Sequence, residues 1–218
     1  MYNLVMKDLK LGVNPWFFAL PLLAGALMLI PAWVYVLVPL YFCFITVPNM
    51  LGGFKSQNDL MFSTLMPTSK RDIVKARIFV IVLLEVLHLL AGMVFSLFTL
   101  HLYPNIDYLF FAPHAGFWGI CWVMLGIFNI ILLPIYYKTA YKYGGAVTFS
   151  TIAAALFAIV AQGAAMGIPW VNDIFYGAGL DRVGLQFSIL AVGILIFVGL
   201  TLIAYRISVR RFLNVEII

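Results

Sequence analysis

Residues 54–77, FKSQNDLMFSTLMPTSKRDIVKAR, form the one long polar interruption between two runs hydrophobic enough to cross a membrane. The stretch carries Lys55, Lys70, Arg71, Lys75 and Arg77, five of the 13 Lys and Arg residues. A short basic loop of this kind stays on the cytoplasmic side. Its sequence also predicts local structure. Asn58 stands where it can cap a short helix through Met66, and Pro67 ends that helix, having no N–H and disfavouring helix at the residue before it. Ser69 followed by Asp72 reads as a capping box that restarts a helix into the next apolar run. On a helical wheel Met61, Phe62, Leu65 and Met66 share one face, with Asp59, Ser63 and Thr64 opposite. A soluble partner could hold such an element; the plainer alternative is a solvated loop whose basic end anchors to headgroups.

The chain around this loop is 65% hydrophobic and 10% charged, with a mean hydropathy of +1.08. A soluble domain cannot hide that much apolar surface, so the reading is all-α, a polytopic membrane protein in one domain, 1–218. Six spans are predicted at about 14–30, 32–53, 78–102, 116–137, 146–166 and 187–205. The first is short, about 25 Å at ~1.5 Å per residue, against a hydrocarbon core of about 30 Å. Pro31 leaves almost no loop after it, so the first two spans should form a tight hairpin with Trp33 and Tyr35 as outer aromatic anchors. Residues 2–13 read as an interfacial helix, with Lys7 and Lys10 near Asn3 on one side and Val5, Met6 and Leu9 on another; Asp8 interrupts the apolar arc. Tyr136, Tyr137, Tyr141 and Tyr143 read as an inner aromatic belt. Ser150, Ala154, Ala158, Ala161 and Ala165 give the fifth span a small-residue face suited to close helix packing. The outer loop after the third span runs through His114 and includes Pro104, Asp107 and Pro113. The loop from Gly167 to Gln186, with Trp170, Asp173, Tyr176, Asp181 and Arg182, is long enough for short interfacial helices.

This arrangement puts every Lys and Arg inside except Arg182 and makes both termini cytoplasmic. The net charge of +5 therefore records topology and gives no case for nucleic acid, because the basic residues sit at span ends rather than along one face. No cleavable signal peptide is evident at the N-terminus. Cys43 and Cys121 lie inside apolar runs and read as packing residues.

No constellation for an enzyme emerges. G-x-x-x-x-G-K-[ST] is missing, so a chain like this would need another polypeptide to bind ATP. There is no H-E-x-x-H pair, and His88, His101 and His114 are not at metal-ligand spacing; no metal or cofactor is expected in this chain. His101 and His114 flank one outer loop, which is weak ground for a metal. Glu85 and His88, three residues apart in the third span, share a helical face at a depth where ionisable groups are costly. Two uses are open. They line a substrate route or subunit interface, with Asn129 or Gln162 across from them, or they form a buried hydrogen-bonded pair that fixes helix packing, Glu85 then being able to hold a proton. A di-iron site would need a second E-x-x-H and two more glutamates, which the chain lacks.

NDLMFSTLMPTSKRDIVKAR resembles the segment between the second and third spans of ABC-2 type transporter permeases, and the amphipathic N-terminus and order of spans are similar too. MYNLVMKDLKLGVNP and ITVPNMLGGFKSQNDL most resemble permeases of the staphylococcal phenol-soluble modulin exporter type. The resemblance implies that Asn58, Asp59, Leu60, Met61, Phe62, Leu65 and Met66 form a coupling helix that docks on an ATPase. It further implies a pair of ATPase subunits holding ATP and magnesium, and a second permease, either another copy or a paralogue. A bacterial plasma-membrane location and amphipathic peptide cargo follow from it, with self-protection of the producing cell as a corollary. The competing readings are a substrate-binding membrane subunit of a small-molecule importer and an intramembrane enzyme. The importer reading is opposed by the structured inner loop and by outer loops that carry no polar pocket signature.

Overall fold

A computed structural model describes residues 2–11, 13, 15–104, 106, 108, 110–175 and 182–215, the side chains of Leu11 and Leu60 excepted. Asn14, Asp107, Tyr176 and Asp181, named above in the first span and the outer loops, lie outside the described residues. Among those described, the chain is helical throughout, without strands. The helices are α1 (Tyr2–Leu11), α2 (Trp16–Ala26), α3 (Leu37–Tyr41), α4 (Val47–Ser56), α5 (Asp59–Leu65), α6 (Lys70–Leu102), α7 (Ala115–Lys138), α8 (Tyr143–Gly167), α9 (Pro169–Phe175) and α10 (Val183–Leu213).

Among the described residues, five helical segments are long and apolar enough to cross a membrane: Leu37–Ser56, Lys70–Leu102, Ala115–Lys138, Tyr143–Gly167 and Val183–Leu213. The segment Trp16–Leu29, which ends in a 3₁₀ turn at Leu27–Leu29, is shorter. At ~1.5 Å per residue it rises only about 21 Å. Its neighbours nevertheless stand at two distant levels of α6. Asp8, just ahead of it, bonds Arg77. At its far end the Met28 carbonyl accepts from Thr99 Oγ1 at 2.6 Å, about 33 Å further along α6 at ~1.5 Å per residue.

The second predicted span begins later than expected. Ala32 takes a left-handed turn at φ 52°, and helix starts only at Leu37. α3 joins α4 through a π turn at Phe42–Thr46. Pro48 brings no N–H to the ladder, and the π turn absorbs the mismatch, Val47 N–H bonding the Phe42 carbonyl. Tyr35 is no exposed anchor. It is 1% exposed, its hydroxyl donates to the Ile30 carbonyl at 3.0 Å, and its ring lies 6.1 Å from Tyr108; Trp33 is half-buried against the core. The hairpin tip folds inward beneath the segment that carries Tyr108, because an aromatic ring and the turn's free carbonyl are both satisfied there.

α7 and α10 form the tightest pair. A Cβ at Gly119 would meet the Ile189 carbonyl, and one at Gly193 would meet the Gly119 carbonyl, so the two backbones touch where both glycines stand. α8 packs on α7, and its small residues do face inward: Ser150, Ala154, Ala158 and Ala165 are buried, Ala161 half-buried. At the end opposite the basic loop, Gln186 stitches α10 to its neighbours. Gly116 N–H donates to Gln186 Oε1 at 2.6 Å, and Gln186 Nε2 donates to the Ile174 carbonyl.

Tyr136, Tyr137 and Tyr141 are buried and do not form a headgroup belt. Ala140 and Tyr141 adopt positive φ, 48° and 67°, which turns Tyr141 back onto α7. Its ring stacks on Tyr136 at 4.7 Å and against Phe212 at 5.8 Å. Only Tyr143, beside Lys55, keeps the half-buried position of an anchor.

Candidate functional site

At the basic end of the bundle, five helices meet around one side chain. Arg77 is 0% exposed although it stands among Ala76, Ile78 and Phe79 near the start of α6. Its Nε donates to Asp8 Oδ2 at 2.7 Å and its Nη2 to Asp8 Oδ1 at 3.2 Å, a two-pronged grip on α1. The same Nη2 donates to Asp59 Oδ2 at 2.5 Å on α5. Nη1 donates to the Tyr136 hydroxyl of α7 at 3.4 Å, and the guanidinium carbon lies over Phe54 of α4, 3.3 Å from the ring centroid. Lys7 closes the circuit: Nζ donates to Asp59 Oδ1 at 2.5 Å and Ser63 Oγ at 2.7 Å, and lies 3.0 Å from Asp8 Oδ1. Two cations face two carboxylates, so the cluster is neutral as a whole.

Burial alone would push the Asp59 carboxyl up. Arg77 and Lys7 outweigh that and hold it below the ordinary carboxylate value.

This cluster fixes the roll of α5. Asp59 and Ser63 are 2% and 0% exposed, whereas Met61, Phe62 and Leu65 are 65%, 51% and 76% exposed. A surface helix ordinarily buries its apolar stripe. α5 does the reverse, because its polar face meets the buried charges of α1 and α6. Both sides of the expected helical wheel are therefore present, with the apolar one turned away from the protein; Met66 and Thr64 sit at the edges, half-buried. The Leu60 side chain lies outside the described residues.

Asn58 occupies the N-cap position but makes no side-chain cap; its backbone is left-handed at φ 50°, so its role is the turn between α4 and α5, not the predicted capping bond. The restart at Ser69 is as expected. Asp72 N–H donates to Ser69 Oγ at 3.1 Å, and Ser69 Oγ donates to Asp72 Oδ2 at 2.7 Å.

The polar groups inside the bundle separate into two places. Glu85 is fully buried, and its Oε2 accepts from Asn129 Nδ2 at 2.9 Å; Asn129 Nδ2 also stands 3.3 Å from Thr201 Oγ1 of α10. His88 does not join them. Its Nε2 donates to the Val38 carbonyl at 2.7 Å, on the side where the Phe42 N–H has turned to Pro39, and its ring lines an apolar cavity of about 170 Å³ with Leu20, Leu23, Ala24, Leu27, Tyr41, Ile45 and Thr46. Three residues along a helix turn two side chains about 60° apart, enough for each to face a different neighbour. Gln162 is not across from either. Its Oε1 accepts from Phe111 N–H at 3.4 Å near the opposite end. Among the described residues no three or more His, Cys, Asp or Glu side chains are grouped to hold a metal, and His101 is exposed.

Sequence reasoning missed Lys7, Asp8, Phe54 and Arg77 as one assembly. The available signal was Asp8, an acid inside the apolar arc of α1, and Arg77, a cation followed at once by an unbroken apolar run.

The family whose sequence profile matches, described as ABC-2 family transporter protein, covers residues 3–212. No curated protein and no solved structure matches the chain.

Proposed function

The chain belongs to the ABC-2 transporter family, a permease subunit of an ABC transporter, and from that premise we propose that α5 is its coupling helix and that it works in export. The observation that carries the proposal is the outward-facing apolar side of α5, held in place from behind by buried ion pairs. An isolated permease gains nothing from displaying Met61, Phe62 and Leu65 to water, whereas a groove on an ATPase subunit would bury them. In this reading a pair of ATPase subunits binds ATP and magnesium, closes on them, and pushes α5; this chain itself catalyses nothing. A second permease, a copy or a paralogue, completes the route.

The same reading places the basic end in the cytoplasm of a bacterium, both termini with it, and counts Trp16–Leu29 as a sixth crossing. It is supported by the contacts of Asp8 and Met28 at levels of α6 about 33 Å apart at ~1.5 Å per residue. The proposed cargo is an amphipathic peptide of the phenol-soluble modulin kind or another hydrophobic compound leaving the inner leaflet, so that export also protects the producer. The resemblance of the N-terminal and 45–60 segments to such exporters supports it.

The test is co-purification of the ATPase subunit with Met61→Asp and Leu65→Asp. Both should insert normally and lose the ATPase. Retention of the ATPase by both variants would remove the coupling role.

A further inference from the structure

The junction of α6, α7 and α10 at Glu85 has fewer hydrogen-bond donors than acceptors. Asn129 Nδ2 serves Glu85 Oε2 and reaches Thr201 Oγ1, but Glu85 Oε1 and Asn129 Oδ1 are buried with no hydrogen-bond partner among the described residues. No Lys or Arg forms an ion pair with Glu85 among the described residues; Arg77 is committed to Asp8 and Asp59. Asn129 from α7 bonds Glu85, Thr201 from α10 stands on the other side of the Asn129 amide, and the Cys43 thiol of the π turn interacts electrostatically with Glu85, while His88 one turn on along α6 is tied to Val38. An ionised carboxylate left with one neutral hydrogen bond in such surroundings is costly, and a neutral acid is not.

From this geometry we propose that the Glu85 junction is a proton-binding site, occupied in the packed bundle. The proton comes from water and sits on Glu85 Oε2. The Asn129 amide serves either state, because a half-turn about its last bond exchanges NH₂ for C=O at the same place. With Glu85 ionised, Nδ2 donates to Oε2. With Glu85 protonated, the Oε2–H donates to Oδ1, and the Thr201 hydroxyl donates to the same oxygen. Loss of the proton then leaves a bare charge among three helices, which must admit water or a cation and so loosens α6 from α7 and α10.

Glu85 and Glu216 are the only glutamates, so isotope-labelled glutamate in a Glu216→Gln background marks Glu85 alone. In the infrared spectrum of that protein in lipid nanodiscs at neutral pH, the labelled signal should be a carboxylic-acid carbonyl band. A labelled carboxylate band in its place would overturn the proposal. A second measurement uses thermal unfolding across pH. A group that binds its proton more tightly when folded stabilises most in acid and loses that stability as pH rises. The unlabelled protein should therefore unfold at falling temperature as the medium is made alkaline, and Glu85→Gln should lose that part of the trend. Parallel trends for the two proteins would refute the site. Recovery of the alkaline loss by sodium ions, with a carboxylate band at neutral pH, would make it a cation site and overturn the proton.

Discussion

Arg77 concentrates the energetics of the basic end. Removing its charge while Asp8 and Asp59 stay buried leaves two carboxylates with one cation, and breaking a buried pair of this kind costs about 3–5 kcal/mol. Arg77→Met should lower thermal stability by that amount, and adding Asp8→Asn with Asp59→Asn should recover most of it. Arg77→Lys should recover little, because an ammonium cannot grip Asp8 with two prongs while lying over Phe54. The pH response follows from Asp59, whose carboxyl Arg77 and Lys7 hold low. Its contribution is present above the unfolded carboxylate value and is lost as pH falls through the folded one. Hydrogen-exchange protection of α5 should drop on acidification in the native protein. In Asp59→Asn it should already be low at neutral pH and show no further step. None of this was legible residue by residue. A helical wheel of residues 2–13 shows Asp8 only as a flaw, since its partner lies in a different helix and sequence periodicity says nothing about which helices meet.

The two faces of α5 separate stability from partnership. Met61 and Leu65 are 65% and 76% exposed, so Met61→Asp and Leu65→Asp remove no packing. Each should change unfolding by no more than about 0.5 kcal/mol. Ser63 is 0% exposed and accepts from Lys7, so Ser63→Leu forces a bulky group into the ion cluster and should cost about 1–3 kcal/mol. Thermal melts of the three variants, set beside ATPase co-purification, distinguish a displayed face from a poorly packed one. The element itself was legible from sequence because Pro67 and the Ser69–Asp72 box are local signals. Which face turned outward was not, because that depends on buried charge supplied by α1 and α6. The same division holds along the first hairpin. Hydropathy located the apolar runs, but the left-handed turn at Ala32 and the π turn at Phe42–Thr46 arise from tertiary contacts such as His88 with Val38, which hydropathy does not report.

At the scale of the whole molecule, the distribution of charge and the contacts of α2 bear on the same question. All 13 Lys and Arg except Arg182 belong to one end of the bundle by their place in the chain. The segment Trp16–Leu29 is too short to cross alone, yet its flanks touch α6 at levels about 33 Å apart at ~1.5 Å per residue. A crossing completed by a short helix plus its linkers needs a thinner local bilayer or polar groups reaching outward, and costs a fraction of a kcal/mol per ångström of mismatch. The exposed Trp16 at its start is well suited to the interface. Impermeant thiol labelling of intact cells gives the decisive reading, in a background where Cys43 and Cys121 are replaced by Ala. Single cysteines at Ala32 and Arg182 should label from outside, and one at Leu65 should label only after the membrane is opened. A single cysteine at Tyr2, 75% exposed, should behave as the one at Leu65; if Tyr2→Cys and Ala32→Cys label from the same side, Trp16–Leu29 turns back within the bilayer. The N-terminus would then lie on the side away from Leu65, and because the Asp8–Arg77 and Lys7–Asp59 contacts need α1 at the basic end, that outcome would also break the ion cluster that orients α5.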